Sequence, residues 1–336
     1  MTKIKANREK YIDAVKGFTI ILVVLHHVVS GTNAAMGLPG WFMVLYKLTV
    51  PIRMPLFFLV AGFFAKKALS TSFTAFADSK LIHFAYFYIL WNTIDVIIRS
   101  SLSKYANNSV EFIEIIYFPF APSFSLWFLY VLFFAFLIAY ILKDIKPTFQ
   151  LAIVFSIAII VQYTIYYELS FVVRSGIKFL PFFFVGIYLS QFIRTLVGSS
   201  AKLPISILTL LMFIGIAWLV NKGFGGFNDP LFFYPAAFCS SMFFLTAFRM
   251  AQESKVLNVF NFIGKRSLYI YVMHFLPAAL FRIILSKYMG VENKFVIVTV
   301  ATISAVVCCI IVYETFKNVS YIKYLFERPL WTRVRA

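Results

Sequence analysis

Polar residues in this chain punctuate long apolar runs instead of alternating with apolar positions. The runs lie at about 14–33, 41–65, 81–99, 124–142, 149–167, 176–194, 203–221, 230–248, 262–285 and 295–316. Each is close to the ~20 residues an α-helix needs to cross the ~30 Å hydrocarbon layer. The pattern predicts an all-α, polytopic integral membrane protein with about ten transmembrane helices. The second run holds Lys47, Pro51, Arg53 and Pro55. It reads as one kinked span or as a helix plus a re-entrant piece, since prolines in spans are tolerated where neighbours satisfy the freed carbonyls. Connections are short, the longest at about 100–123, with no internal repeat or low-complexity tract. The expected organisation is a single membrane-embedded domain over 1–336, with a helical core at 14–316 and a short basic tail at 317–336.

Composition strengthens that picture. Of 336 residues 62% are hydrophobic and 13% charged, against about 25% charged in a soluble domain. The first run is not expected to be a cleaved signal, because it lacks a small-residue cleavage site and a second apolar run soon follows. Cys239, Cys308 and Cys309 lie in apolar stretches and suit neither a disulfide framework nor a thiolate metal cluster. A weak sequon at Asn107–Ser109 matters only in a eukaryotic secretory host.

The net charge of +18 raises the question of nucleic acid. Its distribution answers it. With the N-terminus in the cytoplasm, 21 Lys and Arg fall inside, 7 outside (Arg99, Lys104, Arg174, Lys178, Lys222, Lys287 and Lys294) and 3 within spans (Lys47, Arg53 and Arg282). This bias predicts both termini cytoplasmic and explains the high pI without a nucleic-acid partner.

Ionisable side chains inside spans are costly and mark functional cavities. Lys16 and His27 are eleven residues apart, so they differ by about 20° in helical phase and lie roughly 16 Å apart along the axis. Asp13 shares their broad face. One molecule can therefore touch both, with an anionic end at Lys16 and a reactive end at His27; the bland alternative is a snorkelling lysine and a packed histidine. His26 points about 100° away. In "TVPIRMPLFFLVAGFFAKK", Arg53 between two prolines calls for a carboxylate, a phosphate or a wet cavity, or for a buried ion pair that only fixes the fold; "AGFF" suits close helix packing. In "FIGKRSLYIYVMHF", Gly264, Ser267, Tyr271 and His274 share a broad face, with a tied-off core histidine as the alternative. His83, Trp91, Asn92 and Asp95 lie on the third span, and Asn92 and Asp95 are expected to line a polar cavity near its outer side. Glu168, Lys222 and Asp229 read as loop residues; Arg282 and Glu314 read as helix pairing or interfacial charges. No metal site is expected: "HH" places adjacent residues on diverging faces, and no H-x-x-x-H or H-E-x-x-H occurs. "GFGGF" at 223–227 is turn material.

A histidine in such a cavity can serve as a general base near neutral pH, deprotonating a hydroxyl for attack on an acyl carbon while a basic rim holds the phosphates of a donor such as coenzyme A. Ten spans with buried His and Arg equally suit a proton-coupled transporter of a small anion or sugar, and a membrane protein that has lost catalysis is a third reading.

Four blocks carry a resemblance: "YIDAVKGFTIILVVLHH" at 11–27, "MPLFFLVAGFF" at 54–64, "SLWFLYVLFF" at 125–134 and "GKRSLYIYVMH" at 264–274. In order and length they resemble the membrane-bound acyltransferase family 3, and more narrowly its fucose 4-O-acetylase-like, surface-polysaccharide O-acetyltransferase branch. The family carries a basic residue, ten intervening residues and the catalytic histidine, which selects Lys16 and His27 and not His26. Many members have arginine at the position of Lys16; lysine keeps the charge and loses the bidentate fork. Asp13 and Arg53 match further family positions, and Gly264, Ser267 and His274 match the late block. The resemblance implies a multi-pass protein of a bacterial inner or plasma membrane, surrounded by membrane lipids. It implies a cytoplasmic acyl-CoA co-substrate, usually acetyl-CoA though a succinyl donor is also open, and no permanently bound cofactor. The implied acceptor is a hydroxyl of a cell-envelope glycan, a lipid-linked saccharide or an exported small molecule. His27 is expected to be the base, with Asp13 tuning it and Lys16 and Arg53 neutralising donor phosphates or oxyanion charge. Some members carry a fused extracytoplasmic esterase-like domain. These residues include none, so the acceptor reaches His27 directly or a separate extracytoplasmic partner completes the transfer.

Overall fold

A computed structural model describes residues 9–101, 113–117 and 126–334. The sequon at Asn107, Lys104 and most of the 100–123 connection lie outside the described residues. Among the described residues there is no strand, and the main helices are α1 (Lys10–Met36), α2 (Gly40–Lys47), α3 (Val50–Phe63), α4 (Phe73–Ser101, with a π-helical turn at Ala77–Leu81), α5 (Trp127–Leu142), α6 (Pro147–Tyr163), α7 (Phe171–Gly198), α8 (Lys202–Asn221), α9 (Pro230–Met250), α10 (Lys255–Gly264), α11 (Ser267–Met273), α12 (Phe275–Ile283) and α13 (Lys294–Phe316).

Every predicted span corresponds to a helix or helix pair. Seven spans are long and apolar enough to cross a membrane alone, and α11 with α12, bent by 58°, gives an eighth. The remaining two, α5 and α6, have 16 and 17 residues. At 1.5 Å per residue these reach about 24–26 Å, short of the hydrocarbon thickness. The protein is an all-α, multi-pass membrane protein.

Two breaks follow from proline chemistry. Pro51 has no N–H to give Lys47, and the chain breaks at Leu48–Thr49 before α3 starts with this proline in its first turn. The 41–65 run is thus a helix pair that together makes one 24-residue span, Gly40–Phe63. Pro277 likewise cannot donate to Met273, and the α11–α12 bend falls there, with His274 between the two helices.

The centre of the bundle is α1, which packs against α3, α9, α10, α11, α12 and α13. Its contact with α10 is backbone on backbone: a Cβ on Gly264 would strike the Asp13 carbonyl, and one on Gly17 would strike Phe260 O. Asn261 Nδ2 donates to the Lys10 carbonyl at 2.8 Å. A second such contact joins Gly62 of α3 to Gly186 of α7. Small residues that let helices touch are a main source of helix association where lipid removes the hydrophobic drive. By contrast only 6% of the apolar window of α8 is buried, against 61% for α1, so α8 lies at the periphery with its side chains toward lipid.

The described part of the basic tail, 317–334, is docked on the bundle. Tyr86 Oη donates to the Tyr324 carbonyl at 2.7 Å and Trp91 Nε1 to that of Leu325 at 2.9 Å. Phe326 is buried against Tyr269 and Tyr313. Arg328 Nη2 and the Val334 N–H both donate to Asp78 Oδ1, at 2.6 and 2.8 Å.

Candidate functional site

The site is built along α1. At its Lys10 end Asp13 is buried and Lys16 Nζ lies 2.7 Å from Asp13 Oδ1, one turn away. Lys16 also faces the Phe64 ring at 5.9 Å, beyond the end of α3. Nearby, Glu9 is ion-paired with Arg194 of α7.

About 16 Å further along, His26 and His27 diverge as adjacent helical residues must. His26 turns to Tyr46 of α2: Nδ1 and the phenol are hydrogen-bonded and the rings are parallel, 5.8 Å apart. Arg53 of α3 lies over the other part of that assembly, its guanidinium 5.5 Å from the Tyr46 ring and Nη1 donating to Thr49 Oγ1 at 3.2 Å. Arg53 therefore belongs to the histidine level of the bundle and not to the Lys16 end.

His27 turns to the α11–α12 bend. Its ring centroid is 4.9 Å from that of His274 and 5.4 Å from that of Phe275. His274 is fully buried, and its Nδ1 lies 2.6 Å from the Tyr271 carbonyl. A carbonyl only accepts, so Nδ1 carries the proton and Nε2 of the neutral ring is a bare acceptor. Among the described residues that buried Nε2 has no hydrogen-bond partner. A buried polar atom left in this state calls for an explanation, and the adjoining His27 ring is the group able to supply it. Tyr271 is buried and its Oη accepts from the Phe128 N–H at 3.1 Å, one of the N–H groups in the first turn of α5 that lacks an intrahelical partner. Ser267 opens α11 and is buried.

Asn92 is buried and donates to the Tyr88 carbonyl of its own helix at 2.9 Å. Asp95 pairs with Arg99 at 3.1 Å and lines a crevice of about 20 Å³ with Trp91, Met273 and Phe275. That is room for about one water, so the expected polar cavity is narrow and mostly apolar. His83 lines a larger cavity of about 310 Å³ with Asp78, Tyr269, Phe326, Arg328 and Arg333, lined by neither Lys16 nor His27.

Of the sequence-chosen residues, then, the structure brings His27 and His274 together, sets Arg53 one ring removed through Tyr46, and pairs Asp13 with Lys16 at the far end of the same helix face. Glu314 fulfils its pairing role, bonded to Arg266 and Lys317. Sequence reasoning missed Tyr46, Phe275 and Arg99. Arg99 was counted as a connecting-loop charge, yet its guanidinium lies 5.5 Å from the Phe275 ring. Only the spacing Asp95–Arg99, i to i+4, could have announced it. Arg282 is buried at 6% exposure and makes no ion pair among the described residues, which corrects its reading as a helix-pairing or interfacial charge.

A multi-pass helical protein with an imidazole pair deep in its bundle and a cation on the same helix face is equipped for transfer chemistry inside a membrane. The family model described as an acyltransferase domain matches residues 9–314. The chain belongs to this family, acyltransferase family 3, and is a membrane acyltransferase. Comparisons with curated proteins and with solved structures return no match.

Proposed function

We propose that this enzyme moves an acyl group, acetyl in the first instance, from a cytoplasmic acyl-CoA to a hydroxyl of a cell-envelope glycan, a lipid-linked saccharide or an exported small molecule. The observation that carries the reading is the His27–His274 contact at 4.9 Å, on the same face of α1 as Lys16 and about 16 Å from it along the axis. The excess of basic residues on one side of the spans supports a cytoplasmic Lys10 end and a cell-membrane location. The four sequence blocks favour the fucose 4-O-acetylase-like branch.

In this mechanism the acceptor hydroxyl gives its proton to His27 while its oxygen attacks the thioester carbonyl. The C–S bond then breaks, and the departing thiolate takes the proton back from His27. In this reading one nitrogen of His27 meets the acceptor and the other turns toward the unpartnered His274 Nε2, a hydrogen bond that on forming fixes the tautomer that leaves a base available. Lys16, held by Asp13, meets a donor phosphate. Arg53 adds positive charge at the level where the oxyanion develops, where preorganised charge contributes most.

The test is release of free coenzyme A by the purified full chain in nanodiscs, with acetyl-CoA and a panel of glycan acceptors. Acceptor-dependent release in wild type and none with His27→Ala is expected. Full activity in that variant removes His27 as the base, and saturable acceptor uptake without consumption of the thioester replaces the reading with transport.

A further inference from the structure

The reacting face of α1 continues past His27. Gly31 follows at i+4, so it sits on the same face about 6 Å further from Lys16. Gly31 has no side chain, and the guanidinium of Arg282 fills the space one would take. A Cβ there would lie 2.8 Å from Arg282 Nε and 3.4 Å from Cζ. Arg282 thus projects from α12, beyond the bend that holds His274, onto the turn of α1 next to His27.

Arg282 is 6% exposed and carries five N–H donors in a planar fork. The other buried basic residues are matched, Lys178 by the Phe227 carbonyl and Arg328 by Asp78, and half-buried Arg99 is matched by Asp95. Among the described residues Arg282 has neither an acidic partner nor a hydrogen-bonded one. Its unpaired nitrogens are not fully enclosed, and inside a membrane span a cation of this kind marks a ligand pathway. The surrounding charge does not compensate it. Asp95, which lines the crevice beside Phe275, already serves Arg99.

We propose that Arg282 binds an oxyanion belonging to the acceptor, so that the substrate is a hydroxyl compound that also bears a phosphate or carboxylate. This rests on His27 being the transfer centre. The donor's own phosphates are not the ligand, because they belong at Lys16, about 22 Å from Gly31 along the axis. The fork of an arginine accepts two oxygens of one phosphate or carboxylate in parallel. Its place one turn beyond His27 sets the anion close to the hydroxyl that reacts.

The test uses acceptor twins differing only in charge, glucose with glucuronate and mannose with mannose 6-phosphate. They are offered with acetyl-CoA to the full chain in zwitterionic nanodiscs, and binding is measured in parallel on the His27→Ala variant. The expected result is an anionic member bound and acylated at least tenfold better than its twin. Arg282→Gln raises KM for the anionic member tenfold or more while KM for the neutral twin moves less than twofold, and Arg282→Lys, which keeps the charge without the fork, falls between. No charge preference in any pair overturns the proposal, and this comparison needs wild type alone. Full turnover by His27→Ala overturns the assigned base instead, while the binding arm still reads Arg282. A third arm replaces part of the lipid with phosphatidylglycerol. If that lipid, and no soluble twin, stabilises the protein in an Arg282-dependent way, the site holds a lipid headgroup and the acceptor assignment is wrong.

Discussion

The two ends of α1 are built on opposite principles. At the Lys10 end three contacts are closed: Asp13 with Lys16, Asn261 with the Lys10 carbonyl, and Gly17 with Gly264 in direct backbone contact. From His27 onward polar groups are left over. His274 Nε2 and Arg99 Nε are buried without partners, and Arg282 is buried without a counter-charge. A polypeptide satisfies nearly all its buried polar groups, so the contrast sets a matched scaffold against the region proposed above as the reaction chamber.

The largest break in that contrast comes from the chamber. His27→Ala is expected to lower acceptor-dependent coenzyme A release by roughly 10²–10⁴-fold, the range for a lost general base, with membrane insertion and detergent-extracted yield unchanged. His274→Leu is expected to lower kcat about 10- to 100-fold with little change in KM for the donor. His274→Gln, which keeps an oxygen acceptor, recovers part of it, and equal losses in the two variants would reduce His274 to packing.

The scaffold should respond in stability and not in chemistry. Gly264→Val forces a side chain into the Asp13 carbonyl, and overpacking of this kind costs about 1–3 kcal/mol or more. A lowered thermal midpoint in detergent is the readout, and an unchanged midpoint would show that α1 and α10 can separate freely. Lys16→Gln is expected to raise KM for acetyl-CoA about tenfold, the loss of one charge-assisted contact, leaving kcat within a few-fold. His26→Ala is the smallest change, less than about threefold in kcat, because its ring is occupied by Tyr46; activity lost in His26→Ala and kept in His27→Ala would reverse the assignment of the two imidazoles.

What could be read in advance follows from what lies on one helix. The phase of Lys16 and His27 is fixed by eleven residues of α1, and the apolar runs announced every span. The meeting of His27 with His274 could not be read, since two residues so distant in the chain meet only through packing of α1 on the α11–α12 bend. Arg282 was visible as a charge inside a span, but its importance depends on the missing side chain of Gly31, a relation between two helices. The length of α6 was less legible: the apolar run continues through Thr164–Tyr167, whereas the helix ends at Tyr163, so apolar sequence overstates helix length.

The docked C-terminal segment also bears on the order in which the molecule is completed. Asp78 leaves the ribosome 250 residues ahead of Arg328, and its carboxylate waits beside the start of α4 until that arginine arrives. A nascent or prematurely ended chain carries that charge unmatched next to the membrane. Arg328 and the Val334 N–H thus tie the π-helical turn of α4 to a segment made 250 residues later, so that turn gains its final partners only after the helices between them.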